Sequence, residues 1–424
     1  MAGNQAMTPL AGVRVLDLGR HLAGPTCAQW LGDLGADVVK IENPQRGEDG
    51  RAAGPPFFDA HGPAATGESA FFLAANRNKR SLALNLKVPE GQELFRRLAR
   101  TADVVIENFR PGVMEALNVG YARVAAENPR IIYCAISGFG ADGPFADRPG
   151  LDNIIQGFSG LMSLTGFEGE APVRVGIPIA DLLTGLLGAY GILAALQARE
   201  RTGRGQVVET SLLESMVGML SFQATRYLNG AGVPPPAGNH HPINAPYGAF
   251  RARDGYLTIG ATGAKRWTKF CEILGTEEWL TDPRFATNGA RHEHRLLLAE
   301  LISEKLQART RDEWEVILNA AGIPCGPIYT LDKTLEHPQV RHREMVVERP
   351  HPTLGTARLL GLPVKLSATP GDVFRAPPLL GQHTDEILRA AGVSDDELAR
   401  LRAAGVIRSG AAPESAAAGG EGAA

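Results

Sequence analysis

The chain has 424 residues, 44% of them hydrophobic and 21% charged, which suits two or three domains with sizeable cores and excludes a disordered or fibrous chain. With 43 basic against 46 acidic residues, the formal charge of -3 gives no electrostatic footing on nucleic acid or an anionic membrane. Any phosphate-bearing ligand must then be held by local loops.

The four cysteines, Cys27, Cys134, Cys271 and Cys325, lie far apart without a CxxC pair. That argues for a reducing compartment and against a disulfide framework or zinc ribbon. The start, MAGNQAMTPLAGVRV, lacks a basic segment followed by an apolar core, so the expected location is the cytoplasm.

Residues 13–18 (VRVLDL) read as a strand, the loop GRHLAGP follows, and residues 26–34 read as a helix before a second strand at 37–41. By length and pattern this is a βαβ unit. Glu42 ends the second strand, where a dinucleotide-binding fold places its ribose-binding acid, but the first turn lacks the glycine fingerprint. Residues 43–69, rich in Gly, Pro and charge, read as a long ordered loop. Asn76-Arg-Asn-Lys-Arg80 leads into a strand at 81–86, and a helix with Pro89 at its entry follows. Strands at 102–106 and 131–136 end in ENFRPG (107–112) and SGFGADG (137–143). The second contains a literal GxGxxG, yet Pro144 and Pro149 prevent the helix start that would aim N–H groups at a pyrophosphate. Alternating strands and helices predict an α/β doubly wound sheet, with ligands gathered at the loops after the strands.

Pro178-Ile-Ala-Asp181 opens the stretch 182–196, LLTGLLGAYGILAAL, apolar on every face and predicted to be a buried helix. Its fifteen or so residues fall short of the roughly 18 expected of a membrane span. Gly185, Gly188 and Gly191 would let other backbone approach. Asp181 is the only charged side chain between Arg174 and Arg199. Two readings stay open: an N-cap carboxylate, or an anion held ready as a nucleophile at the helix start.

Further on, RERTGRGQ is a basic turn, QVVETS (206–211) a strand and 212–228 one long helix. Residues 229–244 form a Gly/Pro/His-rich linker or lid, and AFRARDGYLTIGA reads as a hairpin. Helices near 265–274, 296–306 and 311–321 suggest a smaller α+β domain. The expected division is 9–225 and 331–408 for the large domain, 226–330 for the small one, and a disordered tail at 409–424. His292 and His294 read as surface residues and His240-His241 as a loop pair, so no metal site is expected.

Taken together, LDLGRHLAGPTCAQWLGDLGADVVKIE, NRNKRSLALNLK, VIENFRPGVME, SGFGADGPFADRPGLD, RVGIPIADLLTGLLGAYGILAAL, GIPCGP and PPLLGQHTDEIL resemble the class III coenzyme A transferases. The resemblance runs from about Leu10 to Ile407. It implies a Rossmann-like large domain built from both chain ends, a smaller α+β domain from the middle, and an interlocked homodimer. It also implies CoA thioesters as substrates, no permanently bound cofactor, and Asp181 as the carboxylate that attacks the donor thioester. By the same likeness the CoA contacts are Leu22 and Ala23; Leu84, Asn85, Leu86 and Lys87; Asn108, Phe109 and Arg110; and Ser137, Gly138, Phe139 and Gly140.

Two departures stand out. VMEALN carries Ala116 where family members often carry Arg, and GNHHPINAPYG replaces the tetraglycine lid of formyl-CoA transferase. The α-methylacyl-CoA racemases of the same superfamily are the alternative. They use a histidine before the Asp of a GxD motif, whereas this chain has Gly150-Leu151-Asp152, and leucine cannot move a proton. Among the transferases, GPPF, NRNK and MVVERPHPTLG most resemble the branch that uses succinyl-CoA and a dicarboxylate. Arg174, Arg77 and His21 are candidates to hold its second carboxylate.

Overall fold

Six short apolar runs of the sequence form one sheet in a computed structural model that describes residues 8–410. They are β1 (Arg14–Asp17), β2 (Asp37–Glu42), β3 (Lys79–Leu84), β4 (Val104–Glu107), β5 (Ile132–Ser137) and β6 (Val207–Ser211). The order across the sheet is β3-β2-β1-β4-β5-β6, every neighbouring pair parallel. Ile407–Arg408 adds an antiparallel edge to β3, so the end of the chain closes a sheet begun at its start. Strands covered on both faces need apolar side chains on both, and Val15, Leu16, Val104, Val105 and Ile106 are all fully buried. This is the doubly wound order whose switch point lies between β1 and β4.

The exceptions to that apolar rule support the switch point. Asp17, at the end of β1, is fully buried, as are Lys40 on β2 and Lys79 on β3. Lys79 Nζ lies 2.8 Å from Asp17 Oδ2, and Lys40 Nζ lies 3.6 Å from it while donating to Gly19 O. Asp17 Oδ1 accepts the Gly19 N–H at 2.8 Å. Burial lowers Lys79 to about 8, against the pull of Asp17. The basic motif after residue 75 is therefore largely internal scaffolding. Arg77 makes a bidentate pair with Asp33 at 2.9 and 2.6 Å and is buried, so it is not available to a substrate carboxylate.

Helix α1 (Ala23–Asp33) follows β1, α2 (Asp152–Phe158) follows the glycine-rich loop after β5, and α3 (Ile179–Thr202) is the long apolar helix. At 24 residues α3 exceeds the predicted fifteen, because the charged but helix-favouring stretch after Leu196 continues it to Gly203, which caps it at φ 69°. Its glycines form the packed face. A Cβ on Gly185 would sit 2.7 Å from the Ala23 carbonyl oxygen, and one on Gly191 would sit 2.7 Å from Val208. The expectation of burial all round fails on the opposite stripe. Leu186, Tyr190 and Leu193, at i, i+4 and i+7, are 48%, 69% and 36% exposed. Among the described residues α3 is the one helix long and apolar enough to cross a membrane, and 39% of that stretch is buried.

The chain divides into two compact units. The first takes residues up to Ser159, Gly176–Ser221 and everything described from Gln339 onward; it includes the hairpin Val346–His351/Gly355–Leu360. The second takes Gly160–Val175 and Phe222–Pro338, so residues 160–175 group with the middle of the chain rather than with the large sheet. Its sheet joins Tyr247–Ala252, Gly255–Gly260 and Cys325–Pro327, all antiparallel. Helices Ala264–Leu274, Arg295–Leu306 and Arg311–Ala320 supply Trp267, Phe270, Leu298, Ile302 and Trp314 to its core.

Two local expectations change. Residues 43–69 hold a small antiparallel sheet (Phe57–Asp59, Gly62–Ala64, Glu68–Ser69). The long helix at 212–228 is two helices, Leu212–Gly218 and Ser221–Leu228, broken where Ser221 takes φ 54°. The tail expected from 409 lies, from residue 411, outside the described residues; Ser409 donates to Asp385 and Gly410 N–H to Gly381 O.

Candidate active site

The site begins with the turn between β1 and α1. A Cβ on Gly19 would meet Gly24 and Pro25 at 2.8 Å, so this turn depends on glycine although the sequence lacks the usual fingerprint. Asn108, just past β4, ties the two switch-point loops together: its Oδ1 accepts Arg20 N–H at 2.8 Å and its Nδ2 donates to Arg20 O at 3.0 Å. Past β5, Gly138 and Gly150 cross at backbone contact; a Cβ on either would approach the other's Cα to 2.7 Å or less. That crossing brings α2 and its first residue, Asp152, beside the start of α3.

Pro178 occupies the cap position of α3 and offers no side-chain acceptor. The helix therefore begins before Asp181, which becomes its third residue rather than its cap. Asp152 supplies the missing acceptor, its Oδ1 taking the Ala180 N–H at 2.8 Å. Among the described residues none donates a hydrogen bond to Asp181. Burial, and then the charge of Asp152, raise the Asp181 carboxyl from 3.8 to about 7. A carboxylate so placed is poorly solvated and proton-hungry, which is the state of an activated nucleophile or base.

Asp181 and Asp152 open into a cavity of about 470 Å³, lined also by His21, Leu22, Ala23, Ser137, Gly138, Arg148 and Leu151. A second cavity of about 670 Å³ shares His21, Asn108, Phe109 and Arg110 with the first. It adds Arg20, Leu84, Asn85, Leu86, Lys87 and Ala116. Arg20 stacks over the Phe109 ring at 4.7 Å and reaches Asp49 at 3.3 Å. Lys87 and Arg110 have no acidic partner among the described residues. The cleft thus joins the Asp181 carboxylate to a second cavity of mixed charge, where Glu42, Glu48 and Asp49 stand with Arg20, Lys87 and Arg110; the start of α1, which has no side-chain cap, lines the first cavity.

Residues 10–384 match the family described as CoA-transferase family III. The chain belongs to that family. The human succinyl-CoA:glutarate CoA-transferase is 39% identical over 94% of this chain and 90% of its own. The succinyl-CoA–D-citramalate CoA-transferase of Chloroflexus aurantiacus is 37% identical, over 96% of this chain and all of its own. A crystal structure of a CAIB/BAIF family protein from Brucella suis matches with a TM-score of 0.82 at 40% identity, covering 91% of this chain and 99% of that one.

For a class III CoA-transferase the substrates are CoA thioesters, and the two cavities divide the expected contacts between them. Leu22, Ala23, Ser137, Gly138 and Asp181 fall in the first, Leu84 to Lys87 in the second, and Asn108, Phe109 and Arg110 in both. Phe139 and Gly140 line neither. Phe139 instead packs edge-on against Phe145 and Phe158, at 5.7 and 5.4 Å. Of the three cations proposed for a second carboxylate, His21 lines the Asp181 cavity, Arg77 is consumed by Asp33, and Arg174 belongs to the second unit. Glu42, at the ribose position of a dinucleotide fold, is buried and held by Arg51 at 2.6 Å and by Ser81 at 2.7 Å. Sequence reading missed Arg148, which lines the Asp181 cavity and lies 3.7 Å over the Phe145 ring. It also gave Asp152 no role. The RPGLD segment did lie in the motif list, but no local spacing pointed from it to a helix start 28 residues later.

Proposed function

We propose that this class III CoA-transferase moves CoA from succinyl-CoA to a free dicarboxylic acid such as glutarate, with Asp181 as the covalent relay. The observation that carries this is the Asp181 carboxyl: raised to about 7 by burial, without a hydrogen-bond donor among the described residues, and set in a cavity that shares His21, Asn108, Phe109 and Arg110 with a second one holding the unpaired Lys87. The two transferases compared above supply the substrate pair, since both are named for succinyl-CoA with a dicarboxylate.

An Asp181 oxygen attacks the thioester carbonyl carbon, the C–S bond breaks, and CoA leaves as the thiolate with a mixed anhydride on the enzyme. The thiolate then attacks the aspartyl carbonyl of that anhydride, releasing succinate and forming an aspartyl-CoA thioester. The acceptor carboxylate repeats the exchange in reverse, and the thiolate leaves on the new acid with Asp181 restored. No proton is gained or lost, and the thioester is never exposed to hydrolysis as a free intermediate step.

The nucleotide end of CoA fits the second cavity, where Lys87, Arg110 and Arg20 face its phosphates; Ala116 contributes no cation there. Arg148 is our choice to hold the distal carboxylate of the acid, beside His21. The bare stripe Leu186, Tyr190 and Leu193 on α3 supports a homodimer, interlocked as the family resemblance implies. Four free cysteines are consistent with a reducing compartment, and we assign no resident cofactor. Leu151 lies in the cavity wall where a racemase would need a base.

The test is a panel of free dicarboxylates incubated with succinyl-CoA and read by chromatography of the CoA thioesters. Glutarate or a near homologue is expected to accept CoA, and Asp181→Ala to abolish transfer. If no acid accepts CoA from succinyl-CoA, the assigned donor is wrong.

A further inference from the structure

We propose that Asp152 is a positioning residue for the transfer: it fixes the first turn of α3 and sets a carboxylate near Asp181, and the repulsion between the two is relieved whenever Asp181 is acylated. This rests on the reading of Asp181 as the acyl-accepting carboxylate. The geometry is specific. Asp152 Oδ1 accepts the Ala180 N–H at 2.8 Å, and Oδ2 accepts Gln156 Nε2 at 2.7 Å. Gln156 is itself fully buried, and its Nε2 also lies 3.4 Å from Ile177 O, so the carboxylate is held from both sides. Both its partners are nitrogen donors, so each of its oxygens acts as an acceptor.

Of the ionisable side chains lining this cavity, namely His21, Arg110, Arg148 and Asp152, only Asp152 has a charge that reaches Asp181. Among the described residues no other element packed on α3 contributes a charge to Asp181. The Cys27 and Cys134 thiols lie against Gly188, two turns along. Glu209 accepts the Ala141 N–H and Glu214 the Ser211 hydroxyl.

The consequence follows from where the charge goes. In the resting enzyme two half-buried carboxylates line one cavity, with Asp152 bonded to the residue before Asp181, and their mutual repulsion costs energy. When an Asp181 oxygen bonds to the thioester carbon, the C–S electron pair departs with sulfur, and the negative charge leaves Asp181 with it. The repulsion is absent from both the anhydride and the aspartyl thioester, so Asp152 favours acylation while keeping the ionised nucleophile strongly basic.

The experiment is Asp152→Asn, which keeps an oxygen for Ala180 and removes the charge; the Gln156 amide must turn to match and gives up its 3.4 Å contact with Ile177 O. Adduct formation from succinyl-CoA is followed by rapid quench across pH. In parallel, the Asp181 carboxyl is titrated by infrared difference spectroscopy against Asp181→Asn, a readout that needs no turnover. The expected result is a midpoint lowered by about one pH unit in both measurements, and an alkaline rate lower by about tenfold or more, with no fall in melting temperature. A lower rate with neither midpoint moved would mean a merely structural role and would overturn the proposal. So would an unchanged rate. If the Asn variant folds poorly, Asp152→Glu keeps the charge; its infrared midpoint is expected near the wild-type value with a reduced rate, and a lowered midpoint there overturns the proposal as well. Absence of any adduct in the wild-type enzyme, with the infrared shift intact, would instead count against the nucleophile assignment.

Discussion

Asp181 trades stability for reactivity, and the trade can be measured. Its carboxyl ionises near 3.8 in the unfolded chain and near 7 in the folded one, so the folded state holds the extra proton between those values. That contribution to stability is fully present below 3.8 and is lost as pH rises through 7. Asp181→Asn removes the burden of a buried charge, so the variant is expected to melt about 2–5 °C above wild type at pH 8, with the gain gone by pH 4. Differential scanning calorimetry at the two pH values checks this. The same ionisation predicts that kcat/KM for succinyl-CoA rises about tenfold per unit from pH 5 and levels off above about 7. A neighbouring residue tests the acceptor side. Arg148 has a ring beneath it and no ion-pair partner among the described residues, so Arg148→Ala should raise KM for a dicarboxylate acceptor by about 10–100-fold. A monocarboxylate acceptor should be nearly unaffected, and Arg148→Lys should recover only part of the loss, because a single ammonium cannot reproduce the guanidinium fork. Steady-state kinetics with the two classes of acid separates these outcomes.

At the scale of elements, the close approach of α3 to α1 sets where Asp181 sits. Gly185 lets the Ala23 carbonyl, part of the cavity wall, approach to a distance that no side chain allows. Gly185→Ala should cost about 1–3 kcal/mol in chemical denaturation and lower kcat beyond what the unfolded fraction explains, since the two walls of the site are pushed apart. This packing was legible in the sequence: glycines at i, i+3 and i+6 of an apolar run announce close backbone contact. So were the parallel strands, as unbroken apolar runs, and the hairpin within AFRARDGYLTIGA, although its turn falls at Arg253-Asp254, one residue before the expected Asp254-Gly255. What could not be read locally are partners far apart in the chain. NRNKR looks like an exposed basic motif until Asp33, 44 residues earlier, closes on Arg77, and Asp17 on Lys79. Asp181 reads as a cap until Asp152 takes that place. The small sheet within residues 43–69 and the break at Ser221 escaped for a related reason. Two- and three-residue strands carry too little periodicity to register, and a single left-handed serine leaves no mark on the pattern.

Across the whole molecule, the site and the unfinished surface lie on the two faces of one helix. The inner face of α3 carries Asp181, Gly185 and Gly188 toward α1 and the sheet. The outer stripe, Leu186, Tyr190 and Leu193, is apolar, contiguous along the helix and open in the single chain. Exposed apolar surface of this kind, on the helix that carries the proposed nucleophile, suits a contact between copies, and the occupant we infer is a second copy. If so, assembly and catalysis are linked, because whatever orders the stripe also orders the first turn of α3. Tyr190→Glu places a charge in the middle of that stripe without touching either cavity. Wild-type protein is expected to sediment as a dimer down to nanomolar concentration in analytical ultracentrifugation. The variant should shift to monomer at micromolar concentration and lose transfer activity in proportion to the dimer lost. A wild-type chain that sediments as a monomer at full activity would break the link between the two faces, whereas loss of the dimer with activity retained would show that α3 is ordered from within its own chain.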